Sequence, residues 1–415
     1  MNLFAHRRRR RSAVMIMFVA FSGFLRGDLF GQERPLRVFI LAGQSNMQGH
    51  AKVQTLESMR WNPSAAPLLD DLLDEEGKPV VCERVWISSV GSADEEQVGR
   101  LTVGYGAKAG GPKIGPEYTF GLYASKLLDE PILIIKTAWG GKSLNTDFRP
   151  PGAGPYQWSD VQIEKLESQK KDIAQIRTDK INATGRYYRL MIDHVRNVLS
   201  DIKRVVPDYQ PARGYQLAGF VWFQGWNDMV DSGTYPDRGQ PGGYDQYSQL
   251  LAQLIRDVRK DLSAPELPFV IGVMGVGGPT DKYGAGEQRY KSVHQSFRDA
   301  MAAPSMLPEF QGRVVAVRTE EFWDMEVVRL REIEKTIKPK VDALNKQVKD
   351  GTVSRETGQS RIDELYAATF SPRELSVLKQ SVSNFDFHYM GSAGVMTQIG
   401  KAFAESAIEL TKDSR

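Results

Sequence analysis

Cysteine and histidine are scarce in this sequence. Its 415 residues include a single cysteine, Cys82, and five histidines. One cysteine excludes an intrachain disulfide bond, and no pair of the histidines has the spacing of metal ligands. We therefore predict that the protein holds no metal.

The apolar run at the start of the chain is too short for a comfortable membrane span. Ser12–Leu25 has only 14 residues and follows the basic run Arg7–Arg11. A basic segment followed by an apolar stretch of this length is typical of a secretory signal peptide. We predict a signal peptide over residues 1–31, export to the periplasm or the cell exterior, and no stable membrane partner after cleavage. An uncleaved membrane anchor is the alternative.

The chain has no excess of basic charge once residues 1–31 are left out. The full chain has a formal net charge of +3, but residues 1–31 contain six arginines and one aspartate. The rest of the chain carries 48 basic and 50 acidic residues, a net charge of −2. This balance gives no electrostatic reason to expect nucleic acid as a partner.

Two glycine-containing segments fail the spacing of nucleotide-binding motifs. Gly104–Gly111 lacks the G-x-G-x-x-G spacing of a dinucleotide site and follows no clear strand. Gly141–Ser143 reads Gly-Lys-Ser, but a P-loop needs another glycine five positions earlier, where this chain has Lys136. Neither segment indicates a nucleotide cofactor.

Apolar strand patterns alternate with amphipathic helix patterns along the remaining chain. Several of the strands are continuous apolar runs, which is typical of parallel strands covered on both faces. The alternation predicts an α/β fold with a doubly wound parallel sheet flanked by helices. The predicted strands are 36–42, 83–89, 132–138, 216–224, 269–276 and 313–318. The predicted helices are 117–129, 183–204, 243–262, 287–302 and 392–410.

The stretch from about 321 to 381 is charged and has little strand signal. Met325–Val348 and Ser354–Ala368 read as two helices joined by Lys349–Thr352. We predict a helical insertion here, within one domain over residues 32–415.

A serine follows the first predicted strand. The apolar run Arg37–Ala42 ends at Gly43, and Ser45 stands two residues later. Ligands of open α/β sheets bind at the carboxyl ends of the strands, so this hydroxyl is expected where substrate arrives. The segment is not the G-x-S-x-G elbow, because position 47 is methionine.

Polar groups follow two more predicted strands. Gly140 and Gly141 end one strand, where freed backbone N–H groups can face a developing oxyanion. Gln224 ends another strand and places a side-chain amide at the same edge. Near the C-terminus, His388 is a candidate general base and Asp386, two residues earlier, is a candidate acid on the same face of an extended segment.

These blocks resemble a known family. The string Gly43-Gln44-Ser45-Asn46-Met47 resembles the first block of the sialate O-acetylesterase-like branch of the SGNH hydrolases, which includes acetylxylan esterases of carbohydrate esterase family six. Trp222–Asp228 resembles the family's W-x-Q-G-E block, with Trp226 in the place of the glutamate. Asp386-x-His388 resembles its Asp-x-x-His block, with Phe385 in the usual place of the acid.

The resemblance implies an SGNH-hydrolase (flavodoxin-like) fold and a serine esterase that removes O-acetyl groups from sugars or polysaccharides without a cofactor. Ser45 would be the nucleophile, His388 the base and Asp386 the acid. The oxyanion hole would use the N–H of Ser45, that of Gly140 or Gly141, and the side chain of Gln224. The candidate substrate-binding residues are Gln44, Asn46, Trp139, Trp222, Trp226 and Asn227.

Several alternatives stay open at this point. A Ser-His dyad, or a carboxylate from elsewhere in the chain, would replace the triad with Asp386. A secreted carbohydrate-binding protein that has lost turnover would explain the altered His388 block and Trp226. An esterase for non-sugar esters would keep the chemistry and change the substrate. The sequence does not reveal the glycan or the oligomeric state.

Overall fold

A seven-stranded sheet organises the domain, and the computed structural model describes residues 34–412 of the chain. The predicted leader, residues 1–31, lies outside this range. The chain divides after Arg34, and Pro35–Arg415 is a unit of its own. Its strands are β1 Leu36–Gly43, β2 Ala51–Lys52, β3 Cys82–Val90, β4 Gln97–Leu101, β5 Lys113–Ile114, β6 Ile132–Ala138, β7 Tyr215–Phe223, β8 Phe269–Val273 and β9 Val314–Arg318.

The sheet is parallel apart from one edge strand. Its strand order is β4-β3-β6-β1-β7-β8-β9, and only β4 runs antiparallel to its neighbour. The short strands β2 and β5 pair antiparallel in a second sheet. All residues of β1, β6 and β8 are buried, as their continuous apolar sequences predict for strands covered on both faces. The predicted α/β fold class is confirmed.

Helices cover both faces of the sheet. On one face α3 and α13 pack together, and Phe39 of β1 meets Phe120 at an edge-to-face centroid distance of 5.2 Å. On the other face Trp222 of β7 meets Phe148 at 5.1 Å. The helices are α1 Ser45–Gln48, α2 Ala66–Leu72, α3 Glu117–Leu128, α4 Asp160–Ser168, α5 Ile173–Ala183, α6 Arg186–Ser200, α7 Trp226–Val230, α8 Asp245–Asp261, α9 Lys291–Ala302, α10 Met325–Lys349, α11 Arg355–Thr369, α12 Pro372–Gln380 and α13 Ala393–Lys412.

The order of the strands places three strand ends side by side. Strands β3 and β6, which follow β1 in the chain, lie on one side of β1 in the sheet. The later strands β7, β8 and β9 lie on its other side. Ligands of such sheets bind where the strand order reverses. The backbone N–H of Trp139, after β6, donates to Gly43 O, and that of Gln44, after β1, donates to Phe223 O of β7.

The predicted helical insertion contains three helices rather than two. α10 and α11 match the predicted pair, and α12 was not predicted. The Asp324 carboxylate caps α10 by accepting from the N–H groups of Glu326 and Val327. Ion pairs from Arg373 to Glu326 and from Arg329 to Glu374 join α10 to α12. No helix within residues 34–412 has the length and apolar character needed to span a membrane.

Candidate active site

Ser45 begins the short helix α1 directly after β1. A Cβ on Gly43 would lie 2.1 Å from the carbonyl oxygen of Phe223, so only glycine permits this close approach of β1 and β7. The Ser45 side chain is largely covered, with 8% of the residue exposed. Within residues 34–412 its hydroxyl and its backbone N–H make no hydrogen bond, so both groups are free to meet a ligand.

A buried ion pair supports the far end of α1. Lys136 Nζ lies 2.8 Å from Glu117 Oε2, and both side chains are fully buried. The ammonium group also donates to the carbonyl oxygens of Gln48 and Tyr105, each at 2.8 Å. Burial lowers the pKa of Lys136, and the charge of Glu117 opposes this effect. Glu117, which the sequence identifies as a helix N-terminal residue, thus anchors the segment that carries Ser45.

His388 is oriented by an amide and not by the predicted carboxylate. Its Nδ1 lies 2.9 Å from Asn384 Oδ1. The same oxygen accepts from the N–H of Phe385 at 2.8 Å, which identifies it as an acceptor. Nδ1 of His388 must therefore carry the proton, and Nε2 is left with a free lone pair, since it makes no hydrogen bond to the described part of the chain.

Asp386 does not contact His388, which corrects the predicted triad. Its carboxylate pairs with Arg331 of α10, 2.5 Å away, and its side chain is 61% exposed. The prediction assumed an extended segment, in which residues two apart share a face. The segment is instead a 3₁₀ turn over Asp386–Gly391, so Asp386 and His388 point in different directions.

The backbone after His388 is held in an unusual conformation. Tyr389 and Met390 have φ values of 52° and 60°, the left-handed region that non-glycine residues seldom adopt. Both residues are fully buried. The Tyr389 hydroxyl accepts from Gly275 N–H at 2.8 Å and donates to Thr319 Oγ1 at 2.6 Å. The segments that follow β8 and β9 therefore fix the position of the His388 turn.

A second histidine stacks on His388. The rings of His50 and His388 are nearly parallel, with a centroid distance of 3.8 Å and an interplanar angle of 4°. Burial lowers the pKa of His50 to about 3, and nearby positive charge adds to this shift. Burial, with the charge of Lys113, also lowers the pKa of His388 to about 4. Both rings are consequently neutral at pH 7.

Ser45 and His388 lie on neighbouring segments without a direct hydrogen bond in the described residues. The turn that carries His388 packs against α1, and His50, five residues after Ser45, stacks on the His388 ring. Contacts between a nucleophile and its base are often long in ligand-free structures and tighten when substrate binds. The arrangement brings a free hydroxyl and an unprotonated imidazole nitrogen to the same edge of the sheet.

The two candidate glycines differ in their distance from the serine. A Cβ built on Gly140 would lie 3.8 Å from Ser45 Cβ, whereas one built on Gly141 would have no atom within 4 Å. The backbone N–H of Gly140 makes no hydrogen bond within residues 34–412. Gly140 is therefore the glycine that lies beside Ser45.

Gln224 does not offer a donor to this site, in contrast to the prediction. Its Nε2 has three acceptors, Gln44 Oε1 at 3.1 Å, Lys142 O at 3.0 Å and Asp228 Oδ2 at 2.6 Å. An amide nitrogen has two hydrogens, so these acceptors already use its full capacity. Tyr247 donates to Gln224 Oε1, and the side chain is buried. Its role is to hold strand ends together.

Gln44 and Asn227 belong to the same hydrogen-bonded cluster. Gln44 Oε1 accepts from Gly225 N–H and its Nε2 donates to Asn227 Oδ1, both at 3.1 Å. Gln44 is fully buried, so it cannot bind sugar directly as predicted. Asn227 is partly exposed, and its Nδ2 makes no hydrogen bond within residues 34–412, so it remains a candidate for substrate contact.

Asp228 is a buried residue whose role the sequence reasoning missed. Its carboxylate accepts from the N–H groups of Leu144 at 2.8 Å and Asn145 at 3.0 Å. Burial raises the pKa of Asp228 to about 6, and the hydrogen bonds that it accepts oppose this shift. Asp228 thereby joins the loop after β6 to the end of β7. Its place in the Trp222–Asp228 block was the only available signal.

Of the three tryptophans predicted to contact substrate, one lies in the core and two are partly exposed. Trp222 is fully buried against Phe148, which removes it from the substrate-binding set. The side chains of Trp222 and Phe223 point to opposite faces of β7, and both faces are covered by other residues. The Trp222 ring therefore does not reach the carboxyl end of the strand. Trp139 is partly buried beside Tyr187 at 5.3 Å, and Trp226 is partly exposed beside Phe387 at 5.5 Å.

Asn46 follows the serine and is almost completely buried. Its Oδ1 has no hydrogen-bond partner among the described residues. A buried polar atom without a partner is costly, which is consistent with a group that waits for a ligand or a water molecule. Among residues 34–412 no group of three or more His, Cys, Asp or Glu side chains is arranged to hold a metal ion.

Two other histidines have partners outside this site. His194 Nε2 lies 2.8 Å from Ser88 Oγ, and His294 Nδ1 lies 2.6 Å from the hydroxyl of Tyr283. Both are accounted for by local hydrogen bonding.

The fold and the site define an α/β protein with a serine-histidine site at the carboxyl edge of its sheet. The family model of "carbohydrate esterase, sialic acid-specific acetylesterase" matches residues 35–306, more than half of the chain. The chain belongs to this family of carbohydrate esterases. No curated protein matches it.

Two solved structures show low similarity to the chain. A protein from Arabidopsis thaliana is 16% identical, with a TM-score of 0.36, over 69% of this chain and 86% of its own. A carbohydrate acetylesterase from Xanthomonas citri is 15% identical, with a TM-score of 0.35, over 68% of this chain and 49% of its own. The matched region thus spans about half the length of the Xanthomonas protein.

Proposed function

We propose that the protein removes O-acetyl groups from carbohydrates through an acyl-enzyme formed on Ser45. The observation that carries the proposal is the free Nε2 of His388, set by the Asn384 hydrogen bond, on a turn that packs against the helix of Ser45, whose hydroxyl makes no hydrogen bond within residues 34–412. Membership in the carbohydrate esterase family supports the substrate class.

The first half of the reaction transfers the acetyl group to the enzyme. His388 Nε2 accepts the hydroxyl proton of Ser45 while Ser45 Oγ attacks the acetyl carbonyl carbon. The tetrahedral intermediate collapses with cleavage of the bond between the acyl carbon and the sugar oxygen. His388 gives the proton to that oxygen, and the sugar leaves as an alcohol. Asn384 keeps the imidazole in the required tautomer and orientation.

The second half returns the free enzyme. A water molecule gives one proton to His388 Nε2 and attacks the acetyl-Ser45 ester. Collapse of the second tetrahedral intermediate releases acetate and restores the Ser45 hydroxyl with the proton from His388. The substrate, water and the two side chains supply all the atoms of this cycle.

Backbone N–H groups provide the oxyanion site in this proposal. The N–H groups of Ser45 and Gly140 have no acceptor within residues 34–412 and lie next to the nucleophile. Such donors stabilise the negative oxygen of the intermediate more than the neutral carbonyl, and each contributes about 10²–10³-fold in rate. In this proposal Asn227, whose Nδ2 makes no hydrogen bond within residues 34–412, is the candidate side-chain donor in place of Gln224.

The proposal is tested by hydrolysis of p-nitrophenyl acetate and of acetylated oligosaccharides by the chain without its predicted leader. Ser45→Ala and His388→Ala should each lower kcat by about 10³-fold or more. Tyr215→Ala, at the amino end of β7 and therefore at the opposite edge of the sheet, is the folded control. Wild-type turnover equal to that of the two active-site variants would refute the proposal.

A secreted carbohydrate-binding protein without turnover is the second candidate. The absence of a Ser45–His388 hydrogen bond in the described residues, and an amide where an acid was expected, favour it. This candidate predicts oligosaccharide binding that Ser45→Ala leaves unchanged, together with no release of acetate from any acetylated sugar.

A further inference from the structure

Three aromatic side chains form a continuous surface beside His388. Phe385 stacks on Phe387 with a centroid distance of 5.2 Å and an interplanar angle of 11°. Phe387 continues to Trp226 at 5.5 Å and 32°, and it meets the ring of His388 edge-on at 4.4 Å. We call Phe385, Phe387 and Trp226 the aromatic ledge.

The end of the ledge formed by Phe385 is exposed to solvent and is not packed into the hydrophobic core. Phe385 is 68% exposed, although phenylalanine is among the residues most often found in protein interiors. Phe387 and Trp226 are partly exposed. Leaving a whole phenyl ring in water forgoes the gain from its burial. The exposed end of the ledge therefore points to contact with a ligand.

The ledge joins two distant parts of the chain at the proposed catalytic site. Trp226 begins α7 after β7, and the two phenylalanines come from the turn that carries His388. The same turn is fixed by Tyr389 and by the pair between Asp386 and Arg331. The ledge consequently has a set position relative to His388.

The chemistry of the ledge and its border selects the kind of ligand. Aromatic faces carry partial negative charge and attract the slightly positive C–H groups on the face of a pyranose ring. Polar residues adjoin these rings along the chain: Asn227 follows Trp226, and Asn384 and Asp386 flank Phe385. A flat ligand with one C–H face and hydroxyl groups at its rim matches this surface. An acyl chain would offer no acceptor to Asn227 Nδ2, which makes no hydrogen bond within residues 34–412.

We propose that the aromatic ledge is a subsite for a pyranose ring adjacent to the acetylated sugar. This inference rests on the proposed function, because it deepens the substrate assignment of the same site. It predicts that the protein prefers an acetylated oligosaccharide to a small acetate ester, and that Phe385 contributes most where the substrate has a second ring.

Binding to an inactive background tests the ledge without requiring turnover. In Ser45→Ala, calorimetry would measure the affinity for acetylated xylotetraose, acetylated mannotetraose and an O-acetylated sialyllactose. Adding Phe385→Ala or Phe385→Leu should weaken binding of the preferred sugar by about tenfold or more, and Phe385→Trp should preserve it. Leucine keeps apolar character but lacks a ring, so the pair of variants separates stacking from general hydrophobicity.

Tyr215→Ala is the matched control, because Tyr215 is an exposed aromatic residue at the opposite edge of the sheet. It should leave sugar affinity unchanged. The ledge proposal is overturned if none of the three sugars binds, or if Phe385→Ala binds the preferred sugar as tightly as its parent.

Kinetics on the active enzyme separates the two proposals. Phe385→Ala should lose at least tenfold more kcat/KM on the preferred oligosaccharide than on p-nitrophenyl acetate. Equal losses on both substrates contradict the ledge and leave the esterase proposal standing. Sugar binding that depends on Phe385, with no acetate release by the wild type, contradicts the esterase proposal and leaves the ledge standing.

Discussion

His388 Nδ1 donates a 2.9 Å hydrogen bond to the side-chain oxygen of Asn384, four residues earlier in the chain. An amide acceptor fixes the tautomer and orientation of an imidazole as a carboxylate does, but it adds no negative charge. A carboxylate at this place would favour the charged imidazolium. The neutral partner agrees with the lowered pKa of His388, about 4, which has its origin in burial and in the charge of Lys113.

Substitution of Asn384 tests its function as a positioning residue. Asn384→Ala should lower kcat by about 10- to 100-fold, less than the loss of the general base itself, with KM nearly unchanged. Asn384→Asp should keep most activity and raise the pKa of His388 by about one unit, because the new carboxylate stabilises the imidazolium. The measurement is kcat/KM between pH 3.5 and 8. A profile of Asn384→Asp that coincides with the wild-type profile would argue against this role.

The pKa of His388 predicts activity that persists in mild acid. The base works in its neutral form, so kcat/KM should stay level from pH 7 downward and fall only near pH 4, well below the ordinary histidine value. Lys113→Met removes a positive charge that lowers the pKa of His388, which should move the acidic limb upward by about 0.5–1 unit. Lys108→Met, an exposed lysine in the loop before β5, is the control and should leave the limb in place. A limb near pH 6.5 in the wild type would contradict the assignment.

The strand-end positions of Ser45 and Gly140 followed from the sequence because they depend on local pattern. An apolar run that stops at a glycine marks the end of a buried strand, and parallel strands place these ends on one edge. His388 is predicted from its own block near the C-terminus. Each of these inferences uses only the order of residues along one segment.

The roles of Gln224 and Asp386 depended on contacts that no single segment contains. Two of the three acceptors of Gln224 Nε2, Gln44 and Lys142, lie in other parts of the chain, so its hydrogens cannot be assigned from the strand pattern. Asp386 is drawn to Arg331 of the helical insertion, and the 3₁₀ turn was read as extended. The sequence offers no sign that Asn384 is the partner of His388, because catalytic histidines are ordinarily paired with a carboxylate.

The stacked histidine pair predicts a specific loss of stability in acid. The pKa of His50, about 3 in the folded chain, lies below the value of about 6.5 expected when unfolded. The unfolded state therefore binds more protons between these values, so this contribution is complete above pH 6.5 and is lost as the pH falls toward 3. His50→Phe keeps an aromatic ring and removes the titration.

Urea denaturation at pH 7 and pH 4.5 measures this effect. The free energy of unfolding of His50→Phe, relative to the wild type, should rise by about 2–3 kcal/mol on going from pH 7 to pH 4.5. Other groups that titrate in both proteins contribute equally to the two unfolding free energies, so their contributions cancel in the difference. Equal pH dependence of the two proteins would show that the buried state of His50 does not disfavour its protonation.

The buried pair of Lys136 and Glu117 predicts strong coupling between two substitutions beneath α1. Lys136→Met leaves the Glu117 carboxylate buried without its counter-charge, which should cost about 3–5 kcal/mol of unfolding free energy. Glu117→Met leaves a buried ammonium and should cost a similar amount. The double variant has no uncompensated charge, so its cost should be smaller than the sum of the two.

The double variant should also separate stability from catalysis. The carbonyl oxygens of Gln48 and Tyr105 lose their donor in it, at about 1 kcal/mol each, and Gln48 ends the helix that begins with Ser45. We therefore expect a folded protein whose kcat is reduced while its secondary structure, followed by circular dichroism, stays unchanged. A double-mutant cycle in urea gives the coupling energy. Strictly additive costs would mean that the two charges do not depend on each other, and an unchanged kcat would mean that α1 is held by its packing alone.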